Sequence, residues 1–175
     1  LESPVLSNAD LAKVMKYAEK TTARIDCTFP ADESNPGALR DALKRIRTEA
    51  ENAVRGGAAH IVLTDEDISD SRAAIPMILA TGAVHSHLVR QGLRTFTSLT
   101  VRSGECLDVH YFAVLIGVGA TTVNAYLAEA CLIDRVNRGL LGKLSAEEAI
   151  SRFKEAVDGG LLKIMSKMGI SVISS

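Results

Sequence analysis

Three short runs rich in β-branched and apolar residues, at 23–29, 60–64 and 95–101, punctuate the chain. Each is followed by a stretch whose apolar positions recur at helical spacing. Their starts lie roughly 36 residues apart, the size of one strand–helix unit with its loops. A fourth strand, predicted over 121–126, follows sooner. Strands alternating with helices in this way imply a mainly parallel sheet, because each crossover helix returns the chain to the same edge in the same direction. The predicted fold is α/β: repeated βα units with a mainly parallel sheet of about four strands, partly barrel-like, followed by a C-terminal helical segment.

The helices between these strands differ in how much of their circumference is apolar. The first is predicted from Asn35, a cap, and Pro36, in the first helical position, to Gly56-Gly57. Leu39, Leu43, Ile46, Ala50 and Val54 line one face, and Arg40, Lys44, Arg47 and Glu51 the wet one. The stretch 73–91, with Pro76 in its first turn, carries Ala74, Ile75, Met77, Ile78, Leu79 and Val84 around most of its girth, which predicts burial on more than one side. Residues 109–118 read as another core helix, capped by Asp108 and closed by Gly117 and Gly119. An initial helix is predicted over 8–20, with Leu11, Val14, Met15 and Ala18 on one face. After residue 126 a helix over 127–138 is broken by Gly139 and Gly142. Ser145 and Glu148 form a capping box for an amphipathic helix with Ile150, Phe153 and Val157. Gly159-Gly160 is expected to interrupt before a last helical stretch, 161–168, stopped by Gly169, and residues 172–175 read as the start of a strand.

Composition adds exclusions. With 175 residues and 47% hydrophobic content the chain can bury one substantial core. Its 20 basic and 21 acidic side chains leave a net charge of -1, no field that would hold nucleic acid or anionic lipid. The longest apolar stretch, 73–84, is too short to cross a bilayer, and no basic leader precedes an apolar segment, so a cytoplasmic location is expected. Cys27, Cys106 and Cys131 are odd in number and far apart, which predicts buried free thiols. The start at Leu1 and the stop within an apolar run suggest an internal piece of something longer.

Candidate chemistry is sparse. His85, His87 and His110 could be imagined as metal ligands, but residues two apart on a helix diverge, so ordinary packing is the stronger reading. Asp65, Glu66 and Asp67 follow the strand 60–64, placing carboxylates where α/β folds bind ligands, yet such a run also supplies negative charge to a following helix start. Gly117-Val118-Gly119 closes a helix where a dinucleotide fingerprint would open one, and is rejected. Phosphate-loop and nucleophile-elbow patterns are absent from the sequence.

Four long blocks carry a resemblance: residues 1–7 (LESPVLS), residues 72–76 leading to 82–88 (RAAIP, GAVHSHL), residues 110–120 through 123–128 (HYFAVLIGVGA, VNAYLA), and residues 160–171 (GLLKIMSKMGIS). In this order, over essentially the whole chain, they resemble the bacterial-type glutamate synthase large-subunit family. The resemblance implies a multidomain flavin and iron-sulfur enzyme in which an amidotransferase domain hydrolyses glutamine and ammonia passes internally to 2-oxoglutarate at an FMN barrel, giving two glutamates. Residues 1–138 resemble the later part of the central domain, and residues 139–175 a connector and the start of the FMN-binding synthase domain.

The family's amino-terminal cysteine nucleophile, its flavin-side motif and its clustered cysteines have no counterpart here. No catalytic, cofactor-binding or metal-binding residue is therefore assigned; FMN and a 3Fe-4S cluster are expected in the parent enzyme and none in this segment. Expected partners are the remaining domains of the same subunit and a small electron-donating subunit. The apolar 161–168 face and the final strand should self-associate when isolated. Small residues such as Gly119 and Ala125 are candidates for an ammonia path by fold analogy alone. The alternative function is a free-standing α/β ligand-binding domain using the Asp65–Asp67 loop; a third, a histidine-based metal hydrolase, is the weakest.

Overall fold

The computed structural model describes residues 3–32 and 34–173. Four strands, β1 (Thr22–Asp26), β3 (His60–Thr64), β5 (Ser98–Arg102) and β6 (Thr122–Asn124), form one all-parallel sheet in the order β1-β3-β5-β6. Sequential order means that every crossover helix, α2 (Ala38–Arg55), α3 (Met77–Arg90) and α4 (Val109–Gly117), lies on the same side, the winding of a βα barrel opened into a half. Helix α1 (Asn8–Tyr17) precedes the sheet, and α5 (Tyr126–Asn137) and α6 (Ala146–Met168) follow it. Among the described residues no helix is long and apolar enough to cross a membrane.

Period-two alternation divides the strands between two environments. Ile25, Ile61, Leu63, Leu99, Val101 and Val123 point to the helices and pack with Ile46, Leu88, Phe112 and Leu115 in the core. The opposite face is mostly polar: His60 hydrogen-bonds Ser98 across β3 and β5 (Nδ1 to Oγ, 2.7 Å), and Thr100 bonds Thr122 across β5 and β6 (2.8 Å). The outer edge of β6 is covered by the chain's own start, since Val123 N–H donates to Pro4 O and Leu6 N–H to Val123 O.

The expected strand 23–29 divides at Cys27. Beyond it, β2 (Thr28–Pro30) leaves the parallel sheet and pairs antiparallel with β4 (Arg72–Ala74). Arg72 clips the junction, reaching Asp26 Oδ2 (2.8 Å) and Thr28 Oγ1 (2.8 Å). This pairing also explains why helix α3 starts at Met77 instead of Ala73. Residues 72–74 are held as a strand, and a residue before proline, here Ile75, is disfavoured in the α region, so Pro76 stands at the cap and not inside the first turn. Helix α3 buries Met77, Ala80, Thr81, Val84 and Leu88 but leaves Leu79 and Val89 exposed, a narrower burial than its composition predicts.

Other boundaries shift by a few residues. Asn35 turns the chain by accepting from Gly37 N–H (3.0 Å), and Gly37, not Asn35, caps α2. The buried stripe of α2, Ala42, Ile46, Ala50 and Val54, follows the predicted face closely. Residues 94–96 form a 3-10 turn before β5, and Tyr126 begins α5 instead of ending β6. Residues 171–173 are bend and turn, not a strand; Ser174 and Ser175, like Leu1 and Glu2 of the opening block, lie outside the described residues.

The capping box of Ser145 and Glu148 forms as its sequence predicts, and Gly169 ends α6 in the left-handed conformation at φ 71°. The glycine pair 159–160 does not interrupt α6, which runs 23 residues through it. Gly160 is a packing residue: a Cβ there would lie 2.5 Å from Val109 Cγ1, so its absence lets α6 cross α4 closely, beside the Phe112–Phe153 ring pair at 6.2 Å. Gly159 meets nothing within 4 Å. Gly159→Ala should stabilise the chain by about 0.5–1 kcal/mol through helix propensity. Gly160→Ala should destabilise it by about 1–3 kcal/mol through overpacking. Urea unfolding midpoints check the pair, and shifts of the same sign would refute the packing role.

Candidate functional site

The carboxyl ends of the parallel strands are where an α/β fold of this winding places a ligand site. Here they converge on one side chain. Arg102, the last residue of β5, donates through Nη1 to Asn8 Oδ1 (2.7 Å) at the start of α1 and to Asn124 Oδ1 (2.5 Å) at the end of β6. Its Nε lies 2.7 Å from Glu66 Oε2 in the loop after β3, and its guanidinium sits 5.0 Å from the centre of the Tyr126 ring. Asn124 Nδ2 continues the network to Leu6 O (2.9 Å).

The three loop carboxylates are all engaged. Asp65, 2% exposed, accepts from Gly104 N–H (3.0 Å) and Ser103 Oγ (3.3 Å). Burial raises its carboxyl above the usual range against those hydrogen bonds. Glu66 is held below its ordinary value first by the Arg102 hydrogen bond. Asp67 pairs with Arg24 at 2.8 Å. A raised, buried acid at a strand end is a usual mark of catalysis. Asp65 departs from that pattern because its oxygens face backbone and hydroxyl donors of its own fold and little of it reaches solvent.

The structure does not gather the histidines. His87 Nε2 meets Glu51 Oε2 of α2 at 2.6 Å, His85 Nδ1, two residues earlier on α3, accepts instead from Arg94 Nε at 3.1 Å, and His110 is exposed on α4. Among the described residues no three His, Cys, Asp or Glu side chains group as metal ligands. An iron-sulfur cluster needs thiolates, but burial pushes the Cys27 thiol up to about 12 and raises Cys106 further. Cys131 is exposed, contrary to the expected burial of all three. These cysteines do not fit such a cluster. Gly119 and Ala125 lie at opposite ends of β6: Gly119, at φ 119°, makes room for the His85 ring, to which a Cβ would come within 2.3 Å, and Ala125 is buried beyond Asn124.

Sequence reasoning overlooked Arg102, Asn8, Asn124 and Arg94. The legible signal was the alternation Ser98-Leu99-Thr100-Val101-Arg102, which assigns the arginine to the polar face of its strand; its partners, 22 to 94 residues away in sequence, leave no such trace.

Arg102→Met keeps most of the volume but strands Glu66, Asn8 and Asn124, and should destabilise by about 2–4 kcal/mol. Glu66's folded value is lowered, so its stabilising contribution is complete above its ordinary value of 4.5 and is lost as pH falls through the folded value. The deficit of Arg102→Met should therefore shrink in acid, which denaturation at stepped pH measures. Glu129, buried on α5 and accepting from Asn8 N–H at 2.8 Å, has the opposite sign: burial raises its folded value, so it costs stability as pH rises above 4.5. Glu129→Gln should gain stability at neutral pH, the gain vanishing in acid, by the same measurement.

Over residues 1–175 the sequence matches the family model of the glutamate synthase central domain. It is 63% identical to the glutamate synthase (NADPH) large chain of Azospirillum brasilense, across 100% of this chain and 12% of that protein. It is 40% identical to the corresponding large chain of Bacillus subtilis, across 100% of this chain and 11% of that one. The chloroplastic ferredoxin-dependent glutamate synthase of Spinacia oleracea is 38% identical, across 100% of this chain and 12% of its own length. Among solved structures, a mutant flavocytochrome b2 with pyruvate bound superposes with a TM-score of 0.59 over 98% of this chain and 52% of its own, at 14% identity, a likeness of fold alone. Matched by the family model along its whole length, the chain belongs to the glutamate synthase central domain family.

Proposed function

We propose that this segment is a non-catalytic scaffold within a glutamate synthase large chain, connecting the amidotransferase domain that releases ammonia from glutamine to the FMN domain where ammonia meets 2-oxoglutarate. The reaction served is glutamine plus 2-oxoglutarate plus reductant to two glutamates, with FMN and the 3Fe-4S cluster held by other parts of the large chain and electrons delivered by a small subunit. The location is cytoplasmic, and residues 139–175, entered through the positive-φ turns at Gly139 and Gly142, lead toward the FMN domain. Gly119 and Ala125 are proposed neighbours of the ammonia path.

The observation that carries the scaffold reading is the closure of the strand ends by Arg102. The place where a barrel of this winding would open to substrate is filled by a guanidinium bonded to Glu66, Asn8 and Asn124. Every carboxylate of the adjoining loop is committed to an internal partner.

The rival reading, ligand binding by the Asp65–Asp67 loop, makes a different forecast. Glu66→Gln keeps an acceptor for Arg102 but removes the charge. In the intact glutamate synthase, a scaffold role leaves kcat and KM for glutamine-dependent glutamate formation within about twofold, whereas loss of an acid, base or substrate contact would cost about a hundredfold or more. A loss of that size with the unfolding temperature preserved would overturn the scaffold reading.

A further inference from the structure

A cavity of about 830 Å³ opens between α4, the C-terminal half of α6 and the start of β6. Ala113, Ile116, Leu161, Ile164 and Met165 give it apolar walls, and Arg94, His85 and Thr121 form its polar end. Arg94 spends four of its five N–H groups on neutral acceptors: His85 Nδ1 (3.1 Å), Thr97 O (2.6 Å), Gly119 O (2.9 Å) and Thr121 Oγ1 (3.2 Å). Among the described residues no carboxylate forms an ion pair with it. A half-buried cation without an anion is an incomplete arrangement, because its desolvation is not offset by a countercharge.

Each of the three polar side chains at this end keeps one donor. His85 accepts at Nδ1, so its neutral ring carries the proton on Nε2. Thr121 Oγ1 accepts from Leu99 N–H (3.0 Å) and from Arg94, which leaves its O–H to donate. The guanidinium keeps one N–H. Three donors and one positive charge at the end of an apolar cavity call for a carboxylate on an apolar body. The apolar lining itself runs out to Met168, 67% exposed, and Leu162, which follows the lining residue Leu161 on α6, is 65% exposed. A small molecule would leave that surface wet, whereas a polypeptide segment would cover it.

We propose that this cavity receives an apolar segment from elsewhere in the same large chain, bearing an aspartate or glutamate whose carboxylate pairs with Arg94. The proposal rests on the scaffold reading, and charge complementarity together with the apolar rim selects the occupant. The matched relatives carry this stretch as 11–12% of their length, so most of such a chain is available to supply the segment.

The test uses the intact large chain with a photoreactive benzophenone amino acid at Met165, followed by peptide mass spectrometry. One cross-linked peptide is expected, from the same chain outside this segment and containing Asp or Glu among apolar residues. Arg94→Met should then raise amide exchange in that peptide at least about tenfold, since removing one partner of a desolvated charge pair costs more than the 1.4 kcal/mol that a factor of ten represents. A peptide lacking an acid, or exchange indifferent to Arg94→Met, would defeat the pairing while leaving the scaffold reading intact. Cross-links only between two copies, or none together with a co-purifying small carboxylate released by Arg94→Met, would overturn the proposal in favour of a dimer contact or a ligand pocket. Failure of the scaffold reading would appear separately, as activity lost in Glu66→Gln.

Discussion

Arg102 ties together parts of the chain that the parallel sheet alone would leave independent. In a sequentially wound sheet each βα unit packs against its neighbours, and nothing in the hydrogen-bond ladder relates the loop after β3 to the residues that enter α1. A single planar guanidinium does so, because it presents five donors in a fixed fork and can bond an anion and two amide oxygens while stacking on an aromatic face. The same geometry that stabilises the strand ends also fills them. One side chain thus both stabilises and occupies the strand ends, and the function proposed for the segment rests on it.

The two faces of the sheet show how this arrangement is sustained. One face is a conventional apolar layer against α2, α3 and α4. The other carries hydrogen-bonded pairs, His60 with Ser98 and Thr100 with Thr122, leading up to Arg102 and Asn124. Partly buried polar groups are tolerable only when satisfied, and among the described residues no buried side-chain nitrogen or oxygen lacks a partner. The acids contribute with opposite signs: Glu66 and Asp26 are lowered by their cationic and hydroxyl partners, whereas Asp65 and Glu129 are raised by burial.

At the other end of β6 the network is unfinished. Gly119 gives up its Cβ so that His85 can lie against the backbone, His85 accepts from Arg94, and Arg94 gathers the carbonyls of two loops without meeting an acid among the described residues. The Arg102 contacts at the carboxyl ends of the strands are what the proposed scaffold role rests on. The cavity beside Arg94 is where the proposed contact with another segment of a longer chain would lie.

The sequence by itself determined the fold class and most elements, because these depend on local quantities. The period of apolar residues placed β3, α4 and the buried stripe of α2, and cap chemistry placed the starts of α4 and α6 and the stop at Gly169. It went wrong where a distant partner outweighs local preference. Residues 73 and 74 look helical until Thr28–Pro30 pairs with the strand 72–74, and Gly160 looks like a helix break until Val109 lies against it. Tertiary structure alone decided that the acidic loop after β3 is saturated, that the histidines part company, and that Arg102 closes one end of the sheet while Arg94, at the other, meets only neutral acceptors among the described residues. Those outcomes depend on which charges come within about 4 Å of one another through space, a distance that no local pattern along the chain encodes.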